Sequence, residues 1–421
     1  MRLINTTTLT FKEFLDPQKC HHAILSHRWT DEEVSYEDFL LHQQSALPRH
    51  SLGWKKIREA CELARLEQLE WLWVDTCCID KRSSAELTEA INSMYNWYAW
   101  SRRCFVFLHN VGHDVAQLHD EGRNRRCSHV YGCPFELLAP DVVLFFNSAY
   151  EYIGSKAQLA GIVSDIVNIR PEYIVYPERI GTASVGERMK WASWRKTTRE
   201  EDMSYCLLGM FGVSIPLLYG EGGTRAFLRL QLELMRYSDD ESLFAWSVSQ
   251  AGIWNGLLAP SPAAFSSANG LSIEVESSSD FRQPYAMTNK DIEMTLDLPL
   301  DMELIEDWVR HKYGPAIRMD GVRGLILLPW RCRCVVDGVA QRVPAIAIAA
   351  AVKSKETRVI EGSRLYSPEV LPVRSGPDDM VRWVPQEERN WACVVGEYSG
   401  PTEKWRVCFP QDGINGLAGS Q

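Results

Sequence analysis

Residues 71–98 read WLWVDTCCIDKRSSAELTEAINSMYNWY, and two periodicities meet inside that stretch. Trp71-Leu72-Trp73-Val74-Asp75 is an apolar run of strand length that ends on a carboxylate. Beyond Ser83 the apolar residues return at helical spacing, with Leu87, Ile91, Met94, Tyr95 and Tyr98 predicted to form the packed face. Ser83 suits the cap of that helix, and Glu86 three residues on completes the capping-box signature. An apolar strand feeding a capped helix is the repeating unit of parallel sheets.

The flanks repeat the unit. Upstream, His22 to Ser26 (HAILS) is a short apolar run closed by polar residues, and Trp54, Ile57, Cys61 and Ala64 follow at helical spacing. Downstream, Arg103 to Leu108 (RCFVFL) reads as a third strand and Val142 to Phe146 (VVLFF) as a fourth. Alternating strands and helices with uniformly apolar strands predict an α/β fold whose parallel sheet is covered on both faces. Side chains that do chemistry gather at the C-terminal ends of such strands. That rule puts Ser26, His27, Arg28 and Trp29 on one rim with the run from Asp75 through Cys77 and Cys78 to Asp80.

Residues 150–246 read as mostly helical. Thr198 and Glu201 form a second capping-box pair, opening a helix through Tyr205, Leu208 and Phe211, and Gly220 to Gly223 interrupts the chain before a helix from Arg225 to Arg236. After Trp246 the character changes. Pro, Ser and Gly cluster from Gly256 to Gly270, then Ile292, Met294, Leu296 and Leu298 alternate with polar residues, and Gly324 to Leu328 reads as another strand. A boundary within 247–255 divides the chain into residues 1–246 and a β-rich region, 247–421.

Composition narrows the function classes. A chain of 421 residues with 45% hydrophobic and 24% charged residues is globular and long enough for two cores. A formal net charge of -10 argues against nucleic-acid binding, and the richest basic stretch, Arg123 to Arg126, is short. The N-terminus lacks the apolar run of a signal peptide, and no apolar stretch is long enough to span a membrane. Twelve cysteines without a secretion signal read as reduced thiols of a cytoplasmic protein. Cys127, His129 and Cys133 lack the paired Cys-x-x-Cys module of a zinc site, so no metal is expected.

The same segments resemble the heterokaryon-incompatibility (HET) domain family of fungi. The resemblance rests on AILSHRW (23–29), GWKKI (53–57), the quoted 71–98, FELLAP (135–140), TTREEDMSYCLLGMFGVSIPLLYGEG (197–222) and SLFAW (242–246), in the family's order. One segment departs: where members carry Arg-Gly-Trp leading into Gln-Glu-Leu-Leu, this sequence has Tyr131-Gly132-Cys133, then Pro134 and Phe135-Glu136-Leu137-Leu138. The HET domain is in turn similar to the Toll/interleukin-1 receptor (TIR) domain, which implies a flavodoxin-style core over residues 20–150, with 151–246 as a helical extension. Glu136 stands where NAD-cleaving TIR domains carry their catalytic glutamate.

That resemblance implies an effector of nonself recognition and regulated cell death that self-associates and hydrolyses NAD, or a related nucleotide, as a substrate rather than holding it as a cofactor. Glu136 would then stabilise an oxocarbenium-like ribosyl cation, with Ser26, Arg28 and Asp75 shaping the pocket. Two other readings stand beside it: a self-assembling scaffold without catalysis, and an enzyme acting on a small metabolite. Each residue also has a plainer role. Glu136 caps a short helix or pairs with an arginine; His27 and Arg28 pair with Asp75 or Asp80. Cys77 and Cys78 form a thiol nucleophile next to His27, or else one is buried and the other exposed. The Gly220–Gly223 segment lacks the Lys-Ser/Thr of a P-loop and is better read as the turn that starts a helix.

Overall fold

A computed structural model describes residues 1–45, 51–108, 111, 134–246, 257–266 and 285–287, together with strands at 271–275, 291–299, 324–329, 332–336, 340–354, 359–364, 371–373, 382–386, 390–394 and 402–410. The four expected strands are the four parallel strands of a seven-stranded sheet: β3 (His22–His27), β4 (Trp71–Val74), β5 (Arg103–Phe107) and β6 (Val143–Phe146). β3 pairs in parallel with β4 on one side and β5 on the other, and β6 continues beyond β5. The edges are antiparallel. β1 (Arg2–Asn5) and β2 (Phe11–Glu13) form a hairpin against β4, and β7 (Tyr152–Ser155) lies along β6. Within the hairpin turn the Asn5 side chain accepts from Thr7 N and Thr8 N at 3.0 and 2.9 Å, an Asx turn. The fold is therefore α/β with a largely parallel sheet.

The helices between these strands are α1 (Tyr36–Ser45), α2 (Leu52–Leu66), α3 (Ser84–Trp100) and the single turn α4 (Pro134–Leu138). All four periodic residues of α2 are buried: Trp54, Ile57, Cys61 and Ala64. Burying side chains the size of Trp54 and Ile57 contributes roughly 1.5–3 kcal/mol each. Gly53 in the first turn of α2 is required sterically, because a Cβ there would lie 2.3 Å from the Glu32 carbonyl oxygen. The loop before α1 is thus pressed against α2, and that loop carries part of the site.

The α3 cap forms by half. Ser83 Oγ accepts from Glu86 N at 3.2 Å, but the Glu86 carboxylate accepts from Asp80 N at 2.8 Å and from Arg2 at 2.9 Å instead of reaching back to Ser83. The fully buried residues of α3 are Ala90, Trp97 and Tyr98, while Leu87, Ile91, Met94 and Tyr95 are half-buried. The expected face is therefore only partly the observed one. Tyr95 sits instead against Gly209, where a Cβ would come within 2.0 Å of the tyrosine Cβ.

Short helices follow β7, at Ala160–Val167, Pro171–Val175, Val185–Trp191, Asp202–Tyr205 and Leu208–Phe211, before the longer Gly223–Tyr237. The continuous helix expected through Tyr205 and Phe211 is two single turns, the second ended by Gly212 at φ 67°. Glu201 caps neither by its side chain; its Oε1 accepts from Gly220 N at 2.8 Å and Gly222 N at 3.1 Å. Thr198 therefore opens no capping box.

Two compact units emerge, Met1–Thr182 with Trp194–Ala226, and Ala183–Ser193 with Phe227–Gln421. In the second, Gln231 exchanges two 2.8 Å hydrogen bonds with the backbone of Ala259. Its described residues beyond 270 are strands. Asp291–Pro299 pairs antiparallel along its whole length with Thr402–Pro410, and the long Ala340–Ser354 pairs with Gly324–Pro329 and Val359–Arg364. Among the described residues no helix is long and apolar enough to cross a membrane, and Cys20, Cys61, Cys77, Cys78, Cys104 and Cys206 are free thiols.

Candidate functional site

The parallel strands run β4-β3-β5-β6, so the chain reverses its direction of travel across the sheet between β3 and β5. In open α/β sheets that reversal leaves a crevice at the carboxyl ends of the two strands. Ser26 and His27 end β3 there. Ser26 Oγ donates a 2.6 Å hydrogen bond to Glu136 Oε2, joining residues 110 apart in sequence. Phe135, Leu137 and Leu138 anchor α4 in the core, and Phe135 meets the Tyr98 ring edge-on at 5.4 Å. The phenylalanine that replaces the family's glutamine is thus packing, and Glu136 is the residue of α4 left facing polar company.

Glu136 is held above the usual carboxylate range. Desolvation raises it most, the Ser26 hydrogen bond opposes this, the Asp75 charge adds to the rise, and Arg195 and His27 pull the other way. A carboxylate this desolvated is a strong electrostatic partner for a developing positive charge.

Next to it, His27 is enclosed, its side chain 2% exposed. Nε2 lies 3.1 Å from Glu33 Oε2, and Nδ1 lies 3.9 Å from Asp75 Oδ1. Glu33 is anchored three further ways: by an ion pair with Lys56, and by Thr30 N and Oγ1 at 2.8 and 3.0 Å. Burial works against its charge, but His27 first, then Lys56 and Thr30, overcome it and draw the carboxyl down to about 2. Asp75 Oδ2 accepts from Trp29 Nε1 at 2.7 Å, and the Lys81 ammonium lies 3.5 Å from the centre of the same indole. Trp29 nevertheless stays 55% exposed.

Of the residues expected on the rim, Ser26, His27, Trp29, Asp75 and Glu136 are joined by these contacts. The others are not. Arg28 is exposed, and its carbonyl accepts from Lys56 at 3.4 Å. Asp80 is bound by Arg82 through two 3.0 Å bonds to its carboxylate. Cys77 and Cys78 are both buried rather than one buried and one exposed. Desolvation raises the Cys77 thiol well above its ordinary value, which keeps it protonated and offers no thiolate. Cys127, His129, Tyr131, Gly132 and Cys133 lie outside the described residues. Among those described, no group of three His, Cys, Asp or Glu could hold a metal ion.

Sequence reasoning missed Glu33, Lys56, Lys81 and Arg195. Glu33 gave a usable signal: in Thr30-Asp31-Glu32-Glu33 it stands three residues after a hydroxyl, the spacing of a local side-chain bond. Lys81 directly follows Asp80 at the end of the rim segment, whereas Lys56 and Arg195 reach the rim only through tertiary packing.

Residues 22–132 match the family model described as heterokaryon incompatibility protein (HET). The chain carries a HET domain. The match opens on the first residue of β3, includes Ser26, His27 and Asp75, and ends before Glu136. The chain is also similar to vegetative incompatibility protein HET-E-1 of Podospora anserina, 40% identical over 218 residues, which is 50% of this chain and 16% of that protein. It therefore spans about a sixth of the relative's length. No solved structure matches the chain.

Proposed function

We propose that the chain is a cytoplasmic, self-associating effector of fungal nonself recognition whose HET domain cleaves the nicotinamide–ribose bond of NAD or a related nucleotide. The recognition role follows the HET domain and the name of its relative, a vegetative incompatibility protein. One observation carries the chemistry: the 2.6 Å bond from the β3 serine to a desolvated glutamate, at the point where the sheet changes direction. The β4-β3-β5-β6 order and the position of Glu136 support a TIR-like core in residues 20–150. Residues 1–246 would then be the effector and 247–421 a separate β-rich domain.

Cleavage of the nicotinamide–ribose bond leaves positive charge on the ribose, and an ionised Glu136 below the ring would stabilise it. Ser26 fixes that carboxyl, and its hydrogen bond favours the ionised form against desolvation. Trp29 offers an aromatic face to a base, and the Asp75 and Lys81 contacts hold its indole in place.

The test is nicotinamide release by the full chain incubated with NAD at high protein concentration, with assembly followed by light scattering. Release that rises with assembly supports the reading. NAD left intact by the assembled chain overturns the catalytic part and favours a scaffold.

A further inference from the structure

His27 Nδ1 and Asp75 Oδ1 are both buried and lack a hydrogen-bond partner among the described residues. They face each other at 3.9 Å, too far for a direct bond. The imidazole is fixed in that pose, because Glu33 takes Nε2 and is itself clamped by Lys56 and Thr30. A charged carboxylate only accepts, so Nε2 carries a proton, and whenever the ring is neutral Nδ1 is a lone pair. A lone pair and a carboxylate oxygen facing one another repel unless a donor with two hydrogens lies between them. Water is the smallest such donor, and a 3.9 Å separation suits one molecule donating to both.

The geometry points to His27 Nδ1 and Asp75 Oδ1 as a site that binds and activates a water molecule, with Glu33 as the positioning residue of the imidazole. This rests on the nucleotide-cleaving reading of the Ser26–Glu136 pair and adds the reaction class: hydrolysis, with water as the acceptor of the ribosyl group. The bond from ribose C1 to the nicotinamide nitrogen breaks, and its electron pair leaves with that nitrogen, neutralising the pyridinium. The water oxygen bonds to C1, and the proton it loses goes to His27 Nδ1. Asp75 orients the second O–H, and Glu136 faces the ribosyl cation from Ser26.

Two measurements on the full chain test this. Long-range nitrogen–proton NMR of the ligand-free protein reads the His27 tautomer. The expected form carries its proton on Nε2, and Glu33→Gln weakens that preference. A neutral ring protonated on Nδ1 overturns the water site, whatever the substrate. With NAD as the probe, Glu33→Gln is expected to lower kcat at least tenfold while KM stays within twofold. An unchanged kcat overturns the activation role. Should the wild-type chain leave NAD intact, the nucleotide reading falls, and the tautomer alone decides whether the slot is built as argued.

Discussion

Glu136 and Glu201 are both acids beside a turn, yet their surroundings push them in opposite directions. Glu201 spends one carboxylate oxygen on Gly220 N and Gly222 N, and backbone donors, its own N–H first and then these two, hold it below the usual carboxylate range. Glu136 receives a single hydroxyl bond, and burial lifts it above that range. The glycine-rich segment that resembles a phosphate cradle in the sequence is filled by the chain's own acid. The modest PFELL turn, by contrast, carries the acid whose desolvation its partners do not fully offset. Desolvation without full compensation, rather than glycine content, separates reactive ground from structural ground.

The largest effect that would break this contrast is catalytic. Glu136→Gln should reduce nicotinamide release at least about 100-fold, whereas Glu201→Gln leaves it within about twofold. Equal losses in the two variants would erase the distinction. Glu33 sharpens it through stability. Its folded pKa of about 2 lies below the ordinary 4.5, so its contribution is present above that ordinary value and is lost as pH falls toward 2. Glu33→Gln should therefore cost about 3 kcal/mol at pH 7, read from urea midpoints, and the gap to wild type should close on acidification.

Glu136 has the reverse sign. A raised carboxyl pKa means that stability declines as pH rises from the ordinary value through the folded one, and Glu136→Gln should flatten that decline. Gly53→Ala forces a Cβ to within 2.3 Å of the Glu32 carbonyl and displaces the loop that holds Glu33. It should lose about 1–3 kcal/mol by thermal melting. Ser83→Ala, which removes only half a capping box, should cost about 1 kcal/mol or less.

The parallel sheet was legible because β3, β4, β5 and β6 are apolar runs between helices of clear period, and a strand buried on both faces cannot be written otherwise. The β1–β2 hairpin was not. Its strands, β1 and β2, are four and three residues long, with partly exposed, mixed side chains, and only their pairing with each other and that of β1 with β4 define them. Ser26, His27 and Asp75 could be placed on the rim from strand ends alone. The partners that set their chemistry could not, because Glu33, Lys56 and Arg195 come to them through folding rather than spacing. Cys77 and Asp80 show the converse: strand-end position brought them near, but burial took one and Arg82 the other.

The central claim is that Glu136 is a desolvated acid at the strand tips, and its own titration tests that most directly. Carboxyl difference infrared spectra, wild type minus Glu136→Gln and wild type minus Glu201→Gln, would follow each acid with pH. The account expects Glu136 to ionise above 4.5 and Glu201 below it. A Glu136 carboxyl ionising at or below 4.5 would mark it as an ordinary, fully compensated acid and contradict the account.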